Sequence, residues 1–265
     1  MKNISFRLAS IFTLALVGLC SIGSAWAEIK TKNITYQDVD VTLKGLLAWD
    51  DARDGKRPGI LVVDEWWGLT DYAKNRARQL AAAGYVAFAA DMYGDGKTTN
   101  DPKQAGKWMK QVTGDVSLWN RRAQLGLDVL KAEPNVDGGK LAAIGSSFGG
   151  ATALQMAYAG HHVKAVVSVA SSLSPAPASV TAIKPRVLVF HGRDDTFIPA
   201  DRIEAFKAGL DQAKADWEMI IYSGTRHSFT NPAADSRGME NLAYNEMAAK
   251  RSWIAMTALF DEVFK

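Results

Sequence analysis

Ser147 lies in Gly145-Ser146-Ser147-Phe148-Gly149-Gly150, between the short apolar run 141–144 and a stretch of helical periodicity over 148–158. A serine hydroxyl attacks a carbonyl carbon only when a neighbouring base takes its proton, and that base works best when an acid fixes its tautomer. Strand, sharp turn and helix form the setting in which Gly-x-Ser-x-Gly holds a serine out over a sheet. Gly145 and Gly149 let the backbone pass closely through a tight turn, and the hydroxyl ends at the positive end of the following helix. The bare pattern equally describes a glycine-rich turn, and a nucleophile is distinguished from it by an acid and a base following in the right order.

They do follow. The apolar run 187–190 leads into His191-Gly192-Arg193-Asp194-Asp195-Thr196-Phe197-Ile198-Pro199, which carries two adjacent aspartates. The spacing Gly-x-x-Asp-x-x-Ile-Pro favours Asp195 as the acid, with Asp194 as its competitor. Beyond a last apolar run at 217–222 comes Ser223-Gly224-Thr225-Arg226-His227-Ser228-Phe229. The chain has four histidines. His161 and His162 follow a helical stretch and are expected on the surface, and His191 ends a strand beside a tight turn, so His227 is the base by position. Its imidazole can accept the Ser147 proton and return it to a leaving group, while Asp195 orients the ring.

Acyl transfer also requires donors aimed at the developing oxyanion, usually backbone N–H groups. Phe148 N–H, directly after the serine, is one. The loop Asp64-Glu65-Trp66-Trp67-Gly68, which follows the apolar run 59–63, offers Trp66 N–H as the second. The indoles of Trp66 and Trp67 are expected to wall the acyl pocket, and Glu65 is a candidate auxiliary group.

These residues need a sheet to hold them. Alternating apolar positions over 33–47 read as a hairpin, and 50–58 is turn-rich. Continuous apolar runs at 59–63, 85–89, 141–144, 165–169 and 187–190 read as strands buried on both faces, and a further strand lies at 217–222. Helical patterns cover 71–83, 101–112, 117–132, 148–158, 201–214 and 242–264, and 171–181 reads as an irregular loop. Such alternation implies an α/β architecture: a mostly parallel sheet with helices on both faces and chemistry beyond the C-terminal strand ends.

The 265 residues, 48% hydrophobic and 22% charged, suit one globular domain over residues 28–265. Residues 1–27 differ in kind: Lys2 and Arg7 precede an apolar run at 11–19, and Ala25-Trp26-Ala27 supplies small residues for a signal peptidase. We predict an export signal peptide cleaved after Ala27, giving a periplasmic or secreted protein without stable membrane association. The apolar run, about 9 residues, is too short for a bilayer span of roughly 20. A lipid anchor at Cys20 is disfavoured by the bulky Leu19. Cleavage also removes Cys20, the only cysteine, which excludes disulfides, a thiolate nucleophile and cysteine metal sites from the exported chain. Removing Lys2 and Arg7 from 31 basic and 28 acidic residues leaves a formal charge of +1, which gives no reason to expect nucleic acid as a partner.

Taken together, Val62-Val63-Asp64-Glu65-Trp66-Trp67-Gly68-Leu69, Gly84-Tyr85-Val86-Ala87 leading to Asp91-Met92-Tyr93-Gly94, Gly145-x-x-Phe148-Gly149-Gly150 and His227-Ser228-Phe229 resemble the dienelactone hydrolase family. The resemblance spans nearly all of the chain after the leader. It implies a compact α/β-hydrolase fold without a large lid domain and without a metal; beside it we expect no cofactor, a monomer, and a small ester or lactone as substrate. Family members typically carry cysteine as nucleophile, with a glutamate at the Glu65 position bonded to it at rest; here Ser147 stands instead. A hydroxyl is not stored as an anion at neutral pH, so activation must come from His227 during attack. Glu65 is left to anchor the oxyanion loop, to act as a second acid or base, or to pair with an arginine. Dienelactone hydrolases also bind the substrate carboxylate with two arginines, whose positions here hold Asp95 and Asn231. Arg226 and Arg237 are the possible replacements. Two further readings stay open on the same residues: acyl transfer to an alcohol or amine, and non-catalytic binding of a small ligand.

Overall fold

The computed structural model describes residues 28–265, so the predicted leader lies outside the described residues. Eight strands form one sheet: β1 (Ile29–Asp38), β2 (Val41–Asp50), β3 (Arg57–Val63), β4 (Val86–Ala90), β5 (Val136–Ser146), β6 (Ala165–Val169), β7 (Arg186–Gly192) and β8 (Trp217–Tyr222). Their spatial order is β1-β2-β4-β3-β5-β6-β7-β8. The first hairpin and the β2–β4 pair are antiparallel, and every pairing from β4 through β8 is parallel.

Six helices cover the two faces: α1 (Asp71–Ala82), α2 (Pro102–Thr113), α3 (Val116–Ala132), α4 (Phe148–Tyr158), α5 (Ala200–Gln212) and α6 (Glu246–Val263). Alternate residues of the central strands go to opposite cores, as strand pleating requires. Leu61 and Val63 pack with Leu127 of α3, Leu154 of α4 and Phe206 of α5. Ile60 and Val62 pack with Ala73, Ala77 and Leu80 of α1 and with Met256 and Phe260 of α6. A fully buried phenylalanine such as Phe260 contributes roughly 1.5–3 kcal/mol by leaving water.

The hairpin is longer than its apolar alternation suggests. Pairing runs from Ile29↔Asp50 to Asp38↔Val41, and Val39 takes the positive φ of 55° that the two-residue turn demands. The last helix starts at Glu246 rather than at 242, because Asn245 caps it by accepting from Ala248 N–H at 3.0 Å. Residues 241–245 instead extend beside the His227 segment. Residues 171–181 carry no helix or strand. The Asp91-Met92-Tyr93-Gly94 stretch is a structural knot: the buried Asp91 carboxylate accepts the N–H groups of Lys44, Tyr93, Gly94 and Gly96 at 2.7–3.1 Å.

Candidate active site

Ser147 sits where β5 ends and α4 begins, with φ 54° and ψ −114°, a conformation costly for a residue with a Cβ. The surrounding contacts hold it there. Ser147 N–H donates to Val169 O at 2.8 Å, and Ser147 O accepts from Ala151 N–H at 3.0 Å. A Cβ on Gly149 would come within 2.0 Å of Val63 O, and one on Gly145 within 2.1 Å of the Gly149 backbone. Glycine at both positions is what lets the turn close against the end of β3.

Ser147 Oγ lies 2.9 Å from His227 Nε2, and His227 Nδ1 lies 2.7 Å from Asp195 Oδ2. Asp195 is 3% exposed, and its other oxygen accepts from Phe197 N–H at 3.1 Å. Asp194 is exposed and turned away; its N–H serves Thr225 O at 2.9 Å. Of the two competing aspartates, the fold therefore brings Asp195 to the histidine. The three groups come from the ends of β5, β7 and β8, more than 30 residues apart in the chain at each step.

His227 owes its position to backbone pairing that periodicity does not reveal. His227 N–H donates to Asn241 O at 3.1 Å and its carbonyl accepts from Ala243 N–H at 3.1 Å, so residues 241–243 clamp the loop on its far side. The exposed Phe197 ring stands edge-on to the imidazole, with centroids 5.1 Å apart. His191 is buried beneath this row. Desolvation, with the charge of His227 adding to it, lowers its pKa and outweighs the raising effect of Asp195. His161 is half-buried, with its ring nitrogen Nδ1 enclosed and without a partner among the described residues; His162 is exposed.

The N–H groups of Trp66 and Phe148 find no acceptor among the described residues. Phe148 turns its ring into the core, stacked on Tyr93 and Trp119, which anchors the start of α4. The two indoles part company. Trp66 is half-buried, whereas Trp67 is 1% exposed, covered by the Arg237 guanidinium at 4.4 Å, and so lies in the core instead of walling a pocket.

Glu65 is 2% exposed and has no cationic partner among the described residues, so an arginine pair does not account for it. Its carboxylate accepts from Asn231 Nδ2 at 2.8 Å and, over a long 3.4 Å, from Ser146 Oγ. One side chain thereby ties the loop after β3 to the residue before Ser147 and to the loop carrying His227. Asn231 is turned inward to this carboxylate, and Asp95 is exposed, 3.5 Å from Lys44 Nζ. Arg226 is exposed and bonded to Glu240 O, and Arg237 lies over Trp67, bonded to Asn100. Among the described residues, no group of three or more His, Cys, Asp or Glu side chains converges as a metal-ligand set, and no helix is long and apolar enough to cross a membrane.

The sequence profile of the dienelactone hydrolase family matches residues 43–264. A Yersinia pestis protein named as a carboxymethylenebutenolidase is 29% identical over 237 residues, covering 83% of this chain and 84% of its own length. A crystallised dienelactone hydrolase-like promiscuous phosphotriesterase from metagenomic libraries superposes with a TM-score of 0.86 at 40% identity, over 90% of this chain and 99% of that one. A Klebsiella pneumoniae dienelactone hydrolase structure, at 24% identity and TM-score 0.73, covers 88% of this chain and 99% of that one and shares the fold.

Proposed function

The chain belongs to the dienelactone hydrolase family, whose members hydrolyse ester bonds, and on that premise we propose that it is an exported serine hydrolase cleaving a small carboxylic ester or lactone through an acyl-enzyme. One observation carries the reading: the unbroken row Asp195 Oδ2, His227 Nδ1, His227 Nε2, Ser147 Oγ, with links of 2.7 and 2.9 Å, on a serine strained to a positive φ. Ser147 Oγ attacks the ester carbonyl as its proton passes to His227 Nε2, and Asp195 stabilises the imidazolium. The Trp66 and Phe148 N–H groups receive the oxyanion. Collapse breaks the C–O bond, His227 hands its proton to the departing alkoxide, and a water molecule repeats the sequence to release the acid. Glu65 acts as a positioning residue that keeps the three loops in register.

A neutral or aromatic substrate fits best, because Asn231 is committed to Glu65 and Phe197 offers an aromatic wall beside His227. Export rests on the leader sequence. Secreted or periplasmic protein should begin at Glu28 by intact mass, and a retained leader would sink that part.

The test is hydrolysis of p-nitrophenyl acetate and butyrate by the chain from residue 28, beside Ser147→Ala. Turnover that falls on the order of 10⁴-fold in the variant is expected. A second expected result is covalent labelling of Ser147 by a phosphonate ester. An inert and unlabelled wild type would overturn the proposal in favour of ligand binding alone, and product analysis with added alcohols separates hydrolysis from acyl transfer.

A further inference from the structure

A groove of about 1030 Å³ runs between α1 and α6, bounded at one end by residues 98–100 and 230–233. Neither Ser147, His227, Trp66 nor Phe148 lines it, so the proposed hydrolysis leaves it unused. Its wall carries four cationic side chains, Lys74, Arg76, Arg237 and Lys250, against the single carboxylate of Asp71. The lysines are paired, Lys74 with Asp71 at 3.7 Å and Lys250 with Glu246 at 2.7 Å. Neither arginine makes an ion pair among the described residues.

Arg76 is held by aromatic faces instead. Its guanidinium carbon lies 5.6 Å from the Tyr72 ring centre and 5.3 Å from that of Trp253, and among the described residues its N–H groups donate to nothing. Arg237 rests over Trp67 and spends one N–H on Asn100. A guanidinium stacked on rings keeps its planar donor fork ordered, so little further entropy is lost when it grips a planar anion. The rest of the groove is partly apolar, with Leu69, Trp253 and the 66% exposed Ile254.

We propose that this groove is a second ligand site, separate from Ser147, for an amphiphilic organic anion of the aromatic carboxylate class. The carboxylate pairs with Arg76 in the field of Arg237, and the ring lies on Trp253 and Ile254. The site borders the His227 loop, since the Tyr72 hydroxyl and Thr230 Oγ1 are 2.6 Å apart and Asn231 both lines the groove and holds Glu65.

Calorimetric titration of 2-naphthoate into the Ser147→Ala chain, at low salt, tests the site without turnover. One saturable site is expected, weakened on the order of tenfold by Arg76→Gln, with neutral 2-naphthamide weaker by a similar factor. No saturable binding, equal affinity for the amide, or an unchanged affinity in a variant that melts like its parent would overturn the proposal. Should Arg76→Gln melt early, Lys250→Glu on the exposed rim replaces it, and a several-fold loss is then expected. Unchanged affinity there overturns the site equally.

Discussion

Asp195 and Asp64 are both carboxylates at the C-terminal edge of the same sheet, 3% and 4% exposed, yet they are compensated in opposite ways. Asp195 has a titratable partner, His227, whose far nitrogen reaches Ser147. Asp64 is enclosed by neutral donors alone: Glu65 N–H at 2.7 Å, with Thr70 N–H and the Thr70 hydroxyl both at 2.6 Å. Its burial, with the charge of Glu65 beside it, pushes its pKa up to about 7. Burial of an acid therefore does not by itself mark chemistry. What lies beyond its hydrogen-bond partner does.

The largest expected effect sharpens that contrast. Asp195→Asn should reduce kcat/KM for p-nitrophenyl butyrate by about 10⁴-fold, because the amide no longer fixes the imidazole tautomer. Asp194→Asn, at an exposed position, should change it by no more than about twofold. Comparable losses in both variants would break the assignment.

Asp64 is next, and its readout is stability. A folded pKa above the unfolded value of 3.8 means that the native state binds the extra proton, so this group's contribution is full below 3.8 and is lost as pH rises to about 7. Unfolding free energy should fall across that window more steeply in the wild type than in Asp64→Asn, by on the order of 4 kcal/mol. His191, lowered by burial, has the opposite sign, its contribution being lost as pH falls below 6.5. It is present in both proteins and cancels in the difference. Parallel pH curves would show that Asp64 stays ionised.

Glu65→Gln keeps an acceptor for Asn231 Nδ2 and turns an amide N–H toward Ser146 Oγ, which can accept as well as donate, so carboxylate bonds are exchanged for neutral ones at a cost of about 1 kcal/mol in denaturant melts. A neutral result would mean that the loops keep their register without this carboxylate. The smallest effect belongs to Phe197→Ala, which removes an exposed ring from the His227 edge. A few-fold rise in KM for aryl esters with kcat nearly unchanged is expected, and an equal effect on acetyl esters of small alcohols would discount an aromatic wall.

Much of this arrangement was legible before folding. The continuous apolar runs marked the parallel strands because a strand buried on both faces has no polar side, and the runs before Gly145 and His191 put a serine and an acid at strand ends. Reading α6 from 242 failed because Leu242 and Tyr244 fit a helical stripe as well as an extended segment; only the cap at Asn245 and pairing with His227 separate the two. The indoles of Trp66 and Trp67 looked equivalent since neighbouring residues share a composition, while burial is set by what packs above each.

Residue identity, order and period are read from the chain before it folds: a serine flanked by glycines after a strand, an acid and a histidine following in turn, and the sheet on which they ride. Three-dimensional packing brought to the histidine the aspartate that the Gly-x-x-Asp spacing favours, and packing alone placed Glu65 against Asn231 and not an arginine, and turned Arg76 to a groove with no anion partner among the described residues. Those choices depend on distances between segments far apart in the chain, and periodicity, which is local, carries no information about them.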